Sequence, residues 1–535
     1  MLLKRRVSTF LRNWKRICGW GVIVFVLGVT NVAMGATAAA PIALNDILPV
    51  DVKETERTEL RAIYEGLGGS LIWATPSRQL TLIKLLASLE SDGIDVQQLG
   101  NFQNPDVRSQ ARADVIATQE ILRAAYILAG GSTAPETIPG WSLTVPKKAL
   151  VDVTIDAVRN DRLSALFDDL RPNASAYRNL RVALLRYLRL AVETWTPLDT
   201  SVEVHLDTND ARTPEVMRRL VLLGDLLDGD VSGDAVSNAV KHFQSLHGLA
   251  VDGRVGPATL AALNVSPAAR AEQIAINLEY WRLLPRVWPK RYIAVNTAAA
   301  RLELVNNGAP IYTSRVIVGD PIHPTPVMTA NIAAVTFNPS WTIPRSIAVK
   351  EILPRLRRDP TYLERSNIEI LDRSTDPFGL QLDWQTYSRT TFPFQLRQIP
   401  GPHNALGLVK FEMPNGFDVY LHDTPDRSLF EKPTRALSHG CIRVECANEL
   451  AERLIDNPAV WLESDLSGAL ADGRTATVHL AQSLPVYLLY FTAYADENGS
   501  MNFRPDVYGR DAALRGARSA PLSRDPTAPH IPEGS

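Results

Sequence analysis

Cysteine is scarce in this chain, which has only three among 535 residues: Cys18, Cys441 and Cys446. Three cysteines cannot build a framework of structural disulfides, so a disulfide-stabilised scaffold is excluded. An excess of positive charge is also lacking, since the net charge is -2 and no domain has the clustered Lys and Arg of a nucleic-acid-binding protein. The rest of the composition, 45% apolar and 21% charged, predicts a globular protein of several domains.

Long apolar runs are missing as well, except at the N-terminus. A basic start is followed by an apolar run over residues 17–34 and by small residues over 35–40. This pattern predicts that residues 1–38 are a secretory signal peptide, cleaved after Ala36 or Ala38. The run is also nearly long enough to span a bilayer, so an uncleaved inner-membrane anchor is the alternative. Both predict that the remaining chain is exported.

Apolar residues recur at helical spacing up to about residue 203. This pattern predicts a helical scaffold over 41–203, and the segment has no cluster of reactive side chains. Three further helices are predicted over 212–266, where Gly248 ends the second and Gly256-Pro257 opens the third. We expect the core of this segment at positions on the apolar helix faces: Val240, Phe243, Leu260 and Leu263. A connecting helix is expected at about residues 269–283.

The periodicity then changes to short segments rich in β-branched residues, which predicts a β-rich domain over 290–480. Residues 338–404 interrupt it as an insertion, in which Trp341 is expected to be a core residue. Two separate β segments close the region, and residues 481–514 are expected to extend the domain. The last segment, 516–535, is rich in Pro, Ser, Ala and Arg and is predicted to be disordered.

The reactive residues concentrate in one stretch of the β-rich domain. A hairpin across residues 414–416 presents His422 at the end of a strand, and Cys441 follows beyond a polar loop. A thiol reacts as thiolate, so a catalytic cysteine needs a base or a cation beside it, and His422 and His439 are the candidates. Gly440 lets backbone N–H groups lie close to the sulfur, where an oxyanion would form. Cys446 is expected to be a small buried apolar residue.

His422, followed after a spacer by Ser438-His439-Gly440-Cys441, resembles the motif of the L,D-transpeptidase family, which has a YkuD-like catalytic domain. The family usually has Asn two residues after the cysteine, where this chain has Arg443. That variation is similar to the larger, scaffolded YcbB-like subgroup, in which an insertion such as 338–404 caps the active site. Residues 212–266 resemble a three-helix peptidoglycan-binding domain, with Phe243-Gln244, His247-Gly248, Asp252-Gly253 and Gly256-Pro257 at matching positions.

The resemblance implies a role for each residue of the motif. Cys441 would be the nucleophile and His422 the general base, with the Asp423 carbonyl orienting its ring. His439 would shape the pocket for the acyl group, while the N–H groups of Gly440 and Cys441 would form the oxyanion hole. Substrate contacts are expected from Ser438, Asp423 and Arg443. Arg443 could equally form a structural salt bridge.

The implied protein is a multidomain α+β enzyme of the periplasm or cell envelope, with a helical scaffold, a peptidoglycan-binding domain and a capped β-rich catalytic domain. It would cleave the terminal D-Ala from a tetrapeptide stem, hold the stem as a thioester, and transfer it to an amine of another stem. Its partners would be stem peptides and, through residues 212–266, the sacculus. No cofactor, metal or nucleic acid is implied.

Three other functions remain compatible with the sequence. A hydrolase or L,D-carboxypeptidase would employ the same thiol with water as acceptor. A zinc enzyme would bind the metal through His422, His439 and Cys441, although the His-x-Cys spacing suits a tetrahedral site poorly. A non-catalytic wall-binding protein would need only residues 212–266.

Overall fold

Helices occupy the first half of the described chain and strands most of the second, which confirms the predicted multidomain α+β fold class. The computed structural model of the protein describes residues 53–95, 107–144, 149–206, 210–229, 232–455, 468, 471–496 and 499–518. The predicted export segment, residues 1–38, lies outside these residues. Within them, no helix combines the length and the apolar character that a bilayer crossing requires.

The described part of the N-terminal region contains six α-helices. Thr75 caps the start of the second helix with its side chain. A buried carboxylate, Asp114 in the third helix, accepts the amides of Ile72 and Trp73 and the hydroxyl of Tyr64, and so ties three segments together. The helices are α1 (Glu54–Gly66), α2 (Pro76–Leu89), α3 (Val107–Gly130), α4 (Val151–Arg159), α5 (Leu163–Leu170) and α6 (Ser175–Leu190).

Three helices with a core of their own follow: α7 (Thr213–Leu223), α8 (Gly233–Leu246) and α9 (Pro257–Leu263). Gly224 ends α7 at a φ of +84°, a conformation that glycine adopts without strain. The Ser232 side chain caps α8. As the sequence predicts, the four expected core residues are buried: Val240, Phe243, Leu260 and Leu263.

One long helix, α10 (Pro267–Arg282), lies between the helical region and the sheet, where the connecting helix is predicted. Several of its polar residues are buried, and these are paired. Arg282 and Glu279 form an ion pair at 2.7 Å with no exposed surface on either side chain. The Asn277 amide donates to the hydroxyl of Thr492, a residue that follows the last long strand, at 2.8 Å. These paired polar groups connect the scaffold helices to the β-rich domain without leaving buried charge uncompensated.

The β-rich domain contains a nine-stranded sheet that closes on itself. Its strands are β1 (Arg291–Asn296), β2 (Arg301–Asn306), β3 (Ala309–Gly319), β4 (Met328–Phe337), β8 (Val409–Glu412), β9 (Leu421–His422), β10 (Ala436–Ser438), β11 (Ile442–Val444) and β12 (Ala476–Leu489), with β5 to β7 in the insertion. They lie in the order β10-β3-β11-β9-β8-β4-β12-β1-β2, and β2 pairs again with β3. Helix α14 (Ala447–Leu454) packs its apolar face on the sheet core.

Strand β12 differs from the prediction. The sequence predicts two separate β segments there, but the structure has one 14-residue strand across them. The strand pairs with β4 along both halves and shifts register between His479 and Leu484. This bulge absorbs the polar residues between the two apolar segments, so the ladder continues past them.

The insertion at 338–404 folds around its own apolar core, separate from that of the large sheet. It contains a three-stranded sheet, in the order β5-β7-β6. Its elements are β5 (Trp341–Thr342), α11 (Arg345–Ile347), a π-helical turn (Ala348–Ile352), α12 (Leu353–Leu356), α13 (Tyr362–Arg365), β6 (Ile368–Ile370) and β7 (Leu396–Gln398). The insertion is called the cap below.

The C-terminal segment forms a short hairpin, β13 (Ala493–Ala495) and β14 (Met501–Phe503), and a final helix, α15 (Arg510–Arg518). The predicted disordered tail begins at residue 516, but the structure keeps residues up to 518 in this helix. The reason is a tertiary contact, since the Arg518 side chain donates to the Gly93 carbonyl of the N-terminal region at 2.7 Å. The residues from 519 onward lie outside the described part.

Candidate active site

Two adjacent parallel strands, β9 and β11, bring the motif together. Their register pairs Leu421 with Ile442 and His422 with Arg443. Leu421 and Ile442 have no exposed surface and belong to the sheet core. Because side chains alternate along a strand, the other face of the pair carries four polar residues in two rows: Tyr420, His422, Cys441 and Arg443.

The neighbour of the Cys441 thiol is Tyr420, one position before β9. The Cys441 Sγ lies 3.7 Å from the Asp418 carbonyl oxygen, and the nearby Tyr420 hydroxyl lowers the pKa of the thiol. Burial raises the pKa of the Cys441 thiol, while Tyr420 and the positive charges of Arg443 and Lys410 oppose that rise. The site therefore offers a protonated thiol at rest and groups that stabilise the thiolate once it forms.

His422 is buried and held in a fixed orientation. Its Nδ1 donates to the Asp423 carbonyl at 2.5 Å, which leaves Nε2 as the basic nitrogen. Burial, and next to it the positive charge of Arg443, lowers the pKa of His422 to about 3. At neutral pH the ring is uncharged and can accept a proton. The hairpin that carries it forms as predicted, with Lys410 of β8 opposite His422, although β9 is shorter than expected.

The loop before Cys441 is braced by hydrogen bonds. Gly440 has a φ of +113°, in the region that favours glycine. Its N–H donates to Ser438 Oγ at 3.1 Å, and that hydroxyl donates to the Cys441 carbonyl at 2.6 Å. Thr325 Oγ1 donates to the Gly440 carbonyl at 2.8 Å. The Gly440 N–H is thus occupied, which leaves the Cys441 N–H as the better placed donor for an oxyanion, and Ser438 braces the loop.

Asp423 and Arg443 differ in how firmly they are bound within the protein. The Asp423 carboxylate is buried and accepts from Arg427 at 2.5 Å and from the Leu408 amide at 2.9 Å, so it holds the β8–β9 end in place. Arg443 lies 4.0 Å from Asp426, at the limit of an ion pair. The structure therefore ties Asp423 into the fold, whereas Arg443 has only this long contact with a carboxylate among the described residues.

His439 makes contacts different from those of His422. Its Nε2 lies 2.7 Å from Oε1 of Glu351, in the π-helical turn of the cap. Its ring lies against that of His323, with centroids 4.9 Å apart, and His323 Nδ1 is 3.1 Å from Asp320. The two histidines of the motif thus face different partners, one a backbone carbonyl of the sheet and the other a carboxylate of the cap.

Two residues of this site were not predicted from the sequence. Tyr420 could have been found, because strand alternation places it on the face of His422. Trp341 was expected in the core, but it is only half-buried, and its indole approaches the Tyr420 hydroxyl without completing a hydrogen bond. Its position depends on the pairing of β5 in the cap with β7, a contact between distant parts of the chain.

Cys446 is exposed, contrary to the expectation that it is buried. It precedes α14 at the surface, and its carbonyl accepts the Tyr312 hydroxyl at 2.8 Å, so its backbone and not its thiol is used in packing. Among the described residues, no three His, Cys, Asp or Glu side chains are grouped closely enough to hold a metal ion.

Three family models match separate parts of the chain. Residues 290–462 match the L,D-transpeptidase catalytic domain (YkuD). Residues 58–184 match a family described as "Scaffold domain", and residues 214–263 match one described as "Putative peptidoglycan binding domain". The matched regions agree with the β-rich domain, the N-terminal helices and the three-helix unit of the structure.

One curated relative is a protein of Haemophilus influenzae described as "Putative L,D-transpeptidase". It is 37% identical over 246 residues, which are 45% of this chain and 49% of the relative. The alignment thus spans about half the length of that protein.

Proposed function

We propose that this chain, which carries an L,D-transpeptidase catalytic domain with peptidoglycan-binding and scaffold domains, forms peptidoglycan cross-links in the cell envelope by cysteine acyl transfer. The observation that carries the proposal is the shared face of β9 and β11, where Cys441 lies among Tyr420, His422 and Arg443. A thiol, a neutral imidazole with an oriented ring, a hydroxyl donor and a cation are the groups that this chemistry needs.

In the first step, the Cys441 thiol gives its proton to Nε2 of His422 as the sulfur attacks the carbonyl that precedes the terminal D-Ala of a tetrapeptide stem. The Cys441 N–H donates to the oxyanion. The intermediate then collapses, the bond to D-Ala breaks, and the His422 proton leaves with the D-Ala amine. The stem is left as a thioester on Cys441.

The second step returns the enzyme to its starting state. The amine of another stem attacks the thioester carbonyl, a C–N bond forms, the C–S bond breaks, and the proton that the nitrogen loses passes to the Cys441 sulfur. The Tyr420 hydroxyl stabilises the departing thiolate. A hydrolase would differ only in accepting water at this point, so the acceptor decides between the two activities.

The domains outside the site support a location at the wall. We infer that residues 212–266 hold the enzyme on the sacculus and that residues 1–38 direct export, either as a cleaved signal or as an inner-membrane anchor. Residues 41–203 would serve as a scaffold and residues 290–514 as the catalytic unit, with the cap at 338–404 over the site.

The test compares the unchanged protein with Cys441→Ala, using a tetrapeptide stem donor and an amine acceptor and analysing products by mass spectrometry. We expect a released D-Ala, an acyl adduct on Cys441 and a cross-linked product, all of which Cys441→Ala abolishes. Cys446→Ala is the matched control, because this cysteine is exposed and outside the site, and it should keep full activity. Hydrolysed stem as the sole product of the unchanged protein would establish the hydrolase instead, and cross-linking by Cys441→Ala would disprove the mechanism.

A further inference from the structure

The peptide group between Gly440 and Cys441 carries the N–H on which the proposed acylation depends. Its carbonyl oxygen belongs to Gly440 and its N–H to Cys441, and the atoms of a trans peptide lie in one plane. A hydrogen bond to the carbonyl oxygen therefore also sets the direction of the N–H, which points the opposite way. Thr325 Oγ1 makes that bond, since it donates to the Gly440 carbonyl at 2.8 Å.

The groups on either side of this peptide are held by a different residue. Ser438 Oγ accepts the Gly440 N–H at 3.1 Å and donates to the Cys441 carbonyl at 2.6 Å. The peptide group between these two contacts can still turn, by rotation about the bonds that flank it. Gly440 lacks the side chain that would restrict this rotation, and its φ is +113°. The hydrogen bond from Thr325 thus restrains the peptide group that the two Ser438 contacts leave able to turn.

The Thr325 hydroxyl is directed toward its acceptor. Thr325 has no exposed surface, so bulk water does not compete for the hydroxyl. The N–H of Gly319, at the end of β3, donates to Thr325 Oγ1 at 2.9 Å, which leaves the hydroxyl hydrogen for the Gly440 carbonyl. Consecutive hydrogen bonds of this kind polarise one another, so the bond to the carbonyl also makes the Cys441 N–H a stronger donor.

The backbone of Thr325 is held by a buried cation. Arg510, which has no exposed surface, donates from Nη2 to the Thr325 carbonyl at 2.8 Å and from Nε to the Pro139 carbonyl at 2.8 Å. Its guanidinium carbon lies 4.9 Å from the ring centroid of Tyr490 and 4.8 Å from that of Tyr508. Cation–π contacts on two rings leave the guanidinium little freedom, so it fixes the position of both carbonyls.

The N-terminal region also pairs with this loop directly. The Val327 N–H donates to the Gly140 carbonyl at 2.7 Å, and the Ser142 N–H donates to the Val327 carbonyl at 2.9 Å. The loop that carries Thr325 therefore lies between the N-terminal region and the nucleophile loop. Its position is set by the fold, and the hydroxyl needs no rearrangement when the reaction begins.

We propose that Thr325 is a positioning residue for acylation: by holding the Gly440 carbonyl, it directs the Cys441 N–H at the oxyanion that forms when the sulfur attacks. The proposal rests on the proposed acyl transfer and adds to it a residue outside the motif. An oxyanion donor acts mainly in the transition state, because the charge that it binds has not yet formed in the bound substrate. Thr325 should therefore affect the rate of acylation and not the binding of the donor.

The test compares two reactions of the same cysteine. Acylation by a stem donor or a carbapenem passes through an oxyanion, whereas in alkylation by iodoacetamide the sulfur displaces iodide at a saturated carbon and no oxyanion forms. Both are followed by the mass of the peptide that contains Cys441. Thr325→Ala and Thr325→Ser differ from each other only in the hydroxyl. Thr297→Ala is the matched control, since Thr297 is buried in the same domain and its Oγ1 donates to the Leu489 carbonyl at 2.8 Å.

We expect Thr325→Ala to lower the acylation rate at saturating donor by at least about tenfold, which is less than the usual loss when an oxyanion donor is removed outright. The donor concentration at half-saturation should change by less than about twofold, because the bound donor does not yet carry the oxyanion. Alkylation of Cys441 should keep its rate. Thr325→Ser should restore acylation, and Thr297→Ala should leave both reactions unchanged.

Three outcomes would overturn the proposal: normal acylation by Thr325→Ala, acylation and alkylation that fall together, or a Thr325→Ser variant as slow as Thr325→Ala. The second would give Thr325 a structural role only. If thermal unfolding shows that Thr325→Ala is not folded, Thr325→Val, which lacks the hydroxyl but fills the space, is measured in the same way. Absence of any acyl adduct in the unchanged protein would instead contradict the proposed function, so the two failures are distinguishable.

Discussion

The candidate site has two sides, called here the floor and the roof, and each is held in place by a different kind of interaction. The floor is the face of β9 and β11, where backbone pairing fixes His422 beside Arg443 and a backbone carbonyl orients the imidazole. The roof is the cap, which has its own core and reaches the nucleophile loop through the contact between Glu351 and His439, two side chains that are each more than one third exposed. A backbone ladder does not open readily, whereas a contact between two partly exposed polar side chains contributes little to stability. The comparison indicates a face that backbone pairing holds rigidly, beneath a cap that contacts it through partly exposed side chains.

The largest effect is expected for the two histidines of the motif. His422 belongs to the floor, and His439 contacts the roof. His422→Ala removes the base of the floor and should slow acylation of Cys441 by at least about 10²-fold, the usual scale for a general base. His439→Ala removes only the contact with the cap and should cost less. The measurement is the rate at which a carbapenem or a stem donor forms a stable adduct on Cys441.

The two variants control for each other, because both remove an imidazole from the same motif. If the adduct formed at the normal rate without His422 and failed without His439, the assignment of the base would be reversed. The floor would then be structural, and the reactive groups would belong to the roof.

A smaller effect on the acylation rate is expected for Tyr420, which lies on the floor of the site. Tyr420→Phe removes the hydroxyl that lowers the pKa of the Cys441 thiol, so the thiolate loses a stabilising group, and we expect acylation to slow by about tenfold. Tyr312→Phe is the matched control, since that hydroxyl bonds to the Cys446 carbonyl in the same domain and should leave the rate unchanged. Equal rates for both variants would mean that the Tyr420 hydroxyl does not act on the thiolate.

The floor was largely predictable from the sequence, and the roof was not. The spacing of His422 and Cys441 suggested a strand end and a nucleophile loop, and the hairpin that carries His422 follows from local turn residues. The parallel register that places Tyr420 beside the thiol is set by strands distant in the chain, so no local pattern specifies it. Glu351 lies 88 positions before His439, in a helical turn without a motif, and only the packing of the cap brings the two together.

The same distinction explains the errors at element ends. Local composition suggested that β12 should break at its polar residues and that the disordered tail should begin at residue 516. In the structure, the pairing of β12 with β4 continues past these polar residues. The contact of Arg518 with Gly93 accompanies a helix that continues to residue 518. Tertiary contacts overrode local preference in both places, as they commonly do at the boundaries of elements.

The smallest expected effect tests whether burial alone explains the low pKa of the floor histidine. His247, far from the motif, is also buried, stacks on Phe243 with ring centroids 3.9 Å apart, and has its pKa lowered by burial to about 3. An unfolded histidine binds a proton below about pH 6.5, whereas this one stays neutral in the fold until about pH 3. Its contribution to stability is therefore complete above pH 6.5 and is lost as the pH falls toward 3.

His247→Phe keeps the aromatic stacking and removes the titration. The fall in Tm between pH 7 and pH 4 should then be smaller than in the unchanged protein, by a few degrees at most for a chain of this size. Buried carboxyls with raised pKa values, such as Asp511, change stability in the opposite direction, but they are common to both proteins and cancel in the difference. His479→Asn, at an exposed position, should keep the original pH dependence. If His247→Phe also kept it, burial would not be what holds this imidazole neutral, and the same explanation for His422 would lose its support.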